Sequence, residues 1–490
     1  MRGDIVKIND AEVRDKIYAC WVGKNIGGTM GAPYENVNEI LDVKGFETEK
    51  GRIIPNDDLD LQLVWLLALE EVGPYNLNAR TLGEYWISYI PPHWSEYGIC
   101  KSNLKRGIMP SASGELNNDK WKHSNGAWIR SEIWACTAPG FPSIAVKNAF
   151  MDATVDHGMG EGTIAAMFTA AMESLAFAMS DTKEIIKEAL SYIPETSRVY
   201  KSVTTVINEY EKGTDWKEVR NLLAEMDKDI DHFMAPANVG YVILGLMYGE
   251  GDFKKSMIHA INCGDDTDCT AATVGAFLGL VNGTKGIPKD WAEHIGDEIL
   301  TLSIEGGTVQ NFIPKNLQEL TDRVVRIMPV VLKSQRVDVD YVDTPSDYSA
   351  YENYESWCDV KTLLSDRSPY TEDDIKFVLG TCMIELNQKP EIAENGTLSG
   401  FLRMARNSPE VCPFEVRMIL PEGWTAKYPK TFTTEPGYPT HYKEPDKYRK
   451  YFDFEIMAGE KVEPINKVIL EISCSTRPTV IYIPIVILGK

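Results

Sequence analysis

Two short acidic clusters stand directly before apolar helical stretches: PNDDLDLQL at residues 55–63 and CGDDTDC at 263–269. Each alone reads as helix capping, because Asn and Asp are favoured N-caps and negative charge suits a first helical turn. A cap needs one acceptor, however, and together the clusters supply Asp57, Asp58, Asp60, Asp266 and Asp268, with Asp265 alongside. If both helices are central and their N-termini converge, several carboxylates repel one another unless cations lie between them. Hard oxygen ligands of this kind select Mg²⁺, Mn²⁺ or Ca²⁺ over zinc.

The elements that must position these acids are helices. DDLDLQLVWLLALEEVG (57–73), EGTIAAMFTAAMESLAFAMS (161–180), PANVGYVILGLMYGEG (236–251) and TDCTAATVGAFLGLVNG (267–283) are apolar nearly all round, which predicts central helices. DTKEIIKEALSYI, RVYKSVTTVINEYEKG and NLQELTDRVVRIMPVVLKSQ alternate apolar and charged residues at three- and four-residue spacing, as outer helices do. Residues 91–143 show little periodicity and much Pro, Gly, Ser, Asn and Trp, the composition of a functional loop region. Beyond about residue 337 the chain is acidic, Tyr-rich and aperiodic, and then breaks into short β-branched and aromatic runs between turn residues. That pattern predicts an antiparallel β-sandwich, with Pro484 placing the last strand at an edge or bulge. The expected division is a helical domain over 1–337, a connector over 338–364 and a β-sandwich accessory domain over 365–490.

A chain of 490 residues has length for two such domains. Its net charge of −22 argues against a nucleic-acid backbone or an anionic membrane as partner. The N-terminus lacks the apolar stretch of a signal peptide, and no run of apolar residues is long enough to span a bilayer. Nine scattered cysteines without a CxxC pair suit reduced thiols, so a cytoplasmic location is expected.

Five motifs in order resemble the ADP-ribosylglycohydrolases. GDDTDCTAATVGAFLGLVNG is similar to the C-terminal GGDTDT/S signature of that family, and YACWVGKNIGGTMGAPYEN (18–36) to its Gly-rich N-terminal segment. PNDDLDLQL takes the place of its TDDT motif, SNGAWIRSEIWA (124–135) that of its N-G-x-x-x-R loop, and VDHGMGEGTIAAMFTAAMESLAF that of its histidine-bearing helix. The resemblance implies an all-α ADP-ribosylglycohydrolase-like fold for the first domain and a metal-dependent glycohydrolase acting on an ADP-ribosyl or related ribosyl bond. It implies two Mg²⁺ or Mn²⁺ ions held by Asn56, Asp57, Asp58, Asp266, Asp268 and Cys269, which orient the sugar and activate water. Glu35, Asp57 and Asp58 take the catalytic positions, with Glu35 serving as acid/base or orienting the ribose. Ser124, Asn125, Gly126 and His157 take the substrate-binding ones, the loop as a main-chain anion nest for a diphosphate. The implied partner is a small-molecule or protein-linked ADP-ribosyl-like substrate.

Single residues also carry plainer readings: Glu35 as a surface acid after a Gly-Ala-Pro turn, His157 as a capping or core residue, Trp128 as core or base-stacking, and Arg130 in a structural salt bridge. The sequence departs from the family pattern at Asn56 and Leu59 (usually Thr), over Asn25, Ile26, Gly27 and Gly28, the region where the Gly-rich segment usually carries an Asp, and at Cys269, a soft thiol in place of a hydroxyl. Asp60 and Thr270 are available as substitutes. These changes keep two alternatives open: hydrolysis of a different N- or O-glycosidic bond selected by the β-domain, and a non-catalytic binding protein on the same fold.

Overall fold

The computed structural model describes residues 4–490 apart from 305–306, 308, 355–363, 365–367, 407–410 and 435–448. Two compact units divide the chain. The first comprises residues 1–98 and 118–356; the second comprises 99–117 and 357–490.

The first unit is helical, and the four stretches read as central from sequence form the buried helices Asp57–Val72, Glu161–Ala178, Ala235–Gly249 and Thr267–Asn282. Helix Asp10–Gly31 begins at Asn9, whose side chain accepts from the Glu12 N–H at 3.1 Å. Its C-terminal half lies antiparallel against Thr267–Asn282, with Ala19 beside Gly279 and Gly31 beside Thr267. Small residues every four positions let the two backbones nearly touch: a Cβ on Gly23 would lie 2.1 Å from the Gly275 carbonyl oxygen. The end of one helix is thereby fixed beside the start of the other. The irregular stretch after residue 118 forms short turns of helix at Trp121–His123, Trp128–Arg130 and Glu132–Cys136. One feature departs from an all-helical reading of this unit: β1 (Asp4–Ile8) and β2 (Val337–Tyr341) pair in parallel.

The second unit holds two five-stranded sheets. One is ordered β3 (Thr371–Phe377), β4 (Gly380–Leu386), β6 (Thr397–Arg406), β10 (Arg449–Met457), β8 (Thr425–Lys427). The other is ordered β5 (Glu391–Ile392), β12 (Val480–Gly489), β11 (Ile465–Cys474), β7 (Cys412–Ile419), β9 (Thr431–Thr434). Residues of both share one core, including Ile384 and Leu402 from the first and Val416, Leu470 and Ile483 from the second. The pairing is antiparallel except for the short β5–β12 contact. That contact covers only Leu488 and Gly489, so Pro484 does lie on an open edge, where its missing N–H costs no ladder bond. Residues 99–117 cluster with these strands: the Ser111 N–H donates to the Thr371 carbonyl at 3.0 Å, and Ile108 and Leu116 pack with Val486. Much of the Tyr-rich stretch PGYPTHYKEPDKYRKYF lies outside the described residues.

Among the described residues no helix is long and apolar enough to cross a membrane, and all eight cysteines there are unbonded.

Candidate functional site

The two acidic clusters meet. Asn56 caps helix Asp57–Val72, accepting from the Asp58 N–H at 2.8 Å, and its amide donates across to Asp268 Oδ2 at 3.4 Å. The Cys269 thiol donates to Asp58 Oδ1 at 3.2 Å. Ligand atoms of Asp58, Asp268 and Cys269 all lie within 4.8 Å of one another, and all three residues are buried. Both helices point their N-termini, with their partial positive charge, at the cluster.

Each acid is held differently. Asp57 keeps some solvent exposure and accepts from the Tyr97 hydroxyl at 3.1 Å. Asp266 accepts from the Asn125 amide at 2.5 Å, and its own N–H donates to Asn238 Oδ1 at 3.3 Å. Asp265 faces away from the cluster. Its carboxylate takes the Phe233 N–H at 2.9 Å and the Asn238 amide at 3.1 Å, and its main chain bridges to Val37 next to the Glu35 turn. Asp60 spends Oδ2 on the main-chain N–H groups of Leu302 and Ser303, both at 2.6 Å.

Three buried carboxylate oxygens at the convergence, Asp58 Oδ2, Asp266 Oδ1 and Asp268 Oδ1, have no hydrogen-bond partner. Burial raises the proton affinity of all three acids, and Asp268 adds its charge against Asp58 and Asp266. Asp57 is pushed up to about 6 by burial and Asp268, against the Tyr97 hydrogen bond. Glu35 keeps an exposed edge, yet desolvation on its inner side, with Asp268 and Asp57, pushes it up to about 7. Orphaned oxygens on several hard ligands are the donor set a Mg²⁺ or Mn²⁺ ion fits. A narrow cleft reaches Asp58, one of these acids, and is also lined by Lys24, Gly28, Ile54, Asn56 and Leu300.

The Ser124–Gly126 loop lies against this cluster with its side chains spent internally. Asn125 bridges Asp266 and the Trp128 indole N–H, the latter at 2.9 Å. Ser124 Oγ lies 3.1 Å from His157 Nε2, and His157 Nδ1 lies 3.0 Å from Asp156. That order resembles a nucleophile triad, but the Ser124 hydroxyl donates to the Trp121 carbonyl at 2.6 Å and both side chains are buried, so the chain braces the loop. A Cβ on Gly126 would lie 2.3 Å from Glu96 Oε1. Arg130 is fully buried between Asp152 and Asp156 and donates to the Gly126 carbonyl. Burial raises the Asp156 carboxyl, and the Arg130 and His157 charges outweigh it, bringing the group down to about 2.

Sequence reasoning passed over Lys24, Glu132, Gln62, Tyr97 and Asn238, all of which hold the acids. Lys24 Nζ donates to Glu132 Oε1 at 2.6 Å and to the Ile129 carbonyl at 2.7 Å, and Gln62 ties Glu132 to the Asp58 main chain. The available signal was the one charged residue inside the largely apolar CWVGKNIGG, and a lone amide inside PANVGYVILGL.

Two helix N-termini thus gather buried acids, and among them Asp58, Asp268 and Cys269 form a group that could hold a metal ion. Residues 9–328 match the model of the ADP-ribosylglycohydrolase family, and the chain belongs to that family, one of hydrolases acting on ADP-ribosyl bonds. It is similar to ADP-ribosylarginine hydrolase Tri1 of Pseudomonas putida (strain GB-1), 21% identical over 324 residues that cover 64% of this chain and 80% of that protein. Among solved structures it is similar to a chain of an ADP-ribosylglycohydrolase-related protein complex, at 16% identity and a TM-score of 0.45, covering 65% of this chain and 99% of that one. A FixG-related protein from Vibrio parahaemolyticus aligns at 8% identity and a TM-score of 0.19, covering 23% of this chain and 99% of that one.

Proposed function

We propose that this protein is a divalent-cation-dependent glycohydrolase that cleaves an ADP-ribosyl or closely related ribosyl bond. The observation that carries the reading is the set of orphaned buried oxygens on Asp58, Asp266 and Asp268. Asp58, Asp268 and Cys269 would hold Mg²⁺ or Mn²⁺, with Asn56, Asp57 and Asp266 completing its surroundings. Such an ion supplies a Lewis acid that orients sugar hydroxyls and makes water a better nucleophile.

The chain's own residues do the rest. Glu35, pushed up to about 7 at the exposed edge of the cluster, can hold a proton at neutral pH and pass it to a leaving group. Tyr97 orients Asp57, and Asn125 fixes Asp266. The Ser124–Gly126 loop and His157 form the substrate-side wall, the loop meeting a diphosphate through its main chain. In this reading residues 1–337 carry the activity, 338–364 connect, and 365–490 form an accessory domain.

Calorimetry with ADP-ribose, with and without Mg²⁺ or Mn²⁺, on wild type and Asp268→Asn tests this. Binding that needs the metal and disappears in the variant is the expected result. Metal binding without ADP-ribose binding moves the substrate to another glycoside, and no metal binding at all sinks the proposal.

A further inference from the structure

Lys24 is a second cation source at this site, and its role deepens the cation-dependent reading on which it rests. Its ammonium is 1% exposed and lies 3.8 Å from Asp58 Oδ2, the orphaned oxygen of that ligand. Two of its N–H groups go to Glu132 and Ile129, which leaves the third for the carboxylate side. We propose that Lys24 is a built-in cation of the carboxylate centre, so that the site takes one divalent ion rather than two.

Three further observations carry this. One turn along the same helix face stands Gly28, also lining the cleft. Being glycine, that position offers no side-chain oxygen toward the cleft, and a Cβ there would lie 2.4 Å from the Asn56 amide nitrogen. The helix delivers a positive charge at Lys24 and no ligand at Gly28. Among the described residues, Asp58, Asp268 and Cys269 form the one compact set of acidic, thiol or imidazole ligand atoms. The remaining acids are partly engaged, Asp57 by Tyr97 and Asp266 by Asn125. Finally, any cation taken by Asp58 Oδ2 is held against an ammonium across a single carboxylate. In a buried setting that repulsion is weakly screened.

The test counts ions on the full-length protein without reference to turnover. Metal-free protein is titrated with Mn²⁺, bound and free ion are separated by electron paramagnetic resonance, and the protein-bound metal is measured by elemental analysis. The same is done for Lys24→Met/Glu132→Gln, which removes both members of that ion pair so that Glu132 is not left as an unpaired buried charge. Wild type is expected to bind one Mn²⁺ per chain, with no exchange coupling in its spectrum. The double variant is expected to take up a second Mn²⁺ or to hold the first about tenfold more tightly, the size a lost like charge at this range gives. Two coupled ions in wild type overturn the inference and leave the proposed function standing. An unchanged affinity and count in the variant overturn it as well. A wild-type protein that binds no Mn²⁺ overturns the proposed function itself.

Discussion

A carboxylate shut away from water needs an account of both its oxygens, and Asp266 has a partner for one of them. That partner, Asn125, is itself fully used, with its amide donating to Asp266 and its carbonyl accepting from Trp128. Asn125→Ala would strand a buried indole N–H and a carboxylate oxygen together. A loss of about 2–4 kcal/mol in urea unfolding is expected, each unsatisfied group costing roughly 1–3 kcal/mol. A loss under about 0.5 kcal/mol would mean the bridge is absent in solution. The role of Asn125 shows what the sequence could and could not tell. The motif around it was recognisable, and its residue types suited a loop facing phosphate. That its side chain turns back onto Asp266 depends on a helix more than a hundred residues later, which no local pattern encodes. Asp57, Asp58, Asp266 and Asp268 were legible because two clusters together supply more acids than helix capping needs. Lys24 and Asn238 were not, because a single polar residue in an apolar helix carries no sign of its partner, and Tyr97 was not, because nothing in SEYGICKSNLK sets its hydroxyl apart.

Helix Glu161–Ala178 poses the same question for an element. It is buried along nearly its whole length, as its apolar sequence led one to expect, yet it carries Glu173 with neither carboxylate oxygen hydrogen-bonded. Burial holds this group protonated well above its ordinary 4.5, reinforced by Glu132 and Cys20. A carboxyl whose folded proton affinity exceeds its unfolded one stabilises the fold while protonated. It loses that advantage as pH rises above about 4.5. Glu173→Gln carries no titrating group. The variant should match wild type near pH 4.5 and exceed it progressively at higher pH, by roughly 1.4 kcal/mol for each unit over which Glu173 stays protonated. Thermal melts from pH 4.5 to 8 would show this as a widening gap. A constant gap would mean that Glu173 finds a partner and ionises normally. At this scale the central helices were readable from composition alone. The antiparallel contact of Asp10–Gly31 with Thr267–Asn282 was not, because four-residue glycine spacing signals close approach without naming what approaches. The β1–β2 pair was equally hidden, since its strands come from opposite ends of the helical unit.

Across the whole molecule, chain order and compact unit part company at residues 99–117. The sequence there is polar and aperiodic and sits in the middle of the helical region, whereas its contacts lie within the strand-bearing unit. Within that unit the segment depends on the late strands. Ser111 donates through its N–H to Thr371 and through its hydroxyl to Pro369, and Ile108 and Leu116 are buried with Val486. A chain ended at residue 356 keeps the segment and loses all of these partners. Its main-chain donors then face water, two apolar side chains are uncovered, and nothing replaces the ordering they provided. Limited proteolysis followed by mass spectrometry should therefore find cleavage within 99–117 much faster in the 1–356 chain than in the full-length protein, accompanied by lower solubility. Equal protection in both would mean that the segment is folded without the strands, and the second unit would then begin after residue 356.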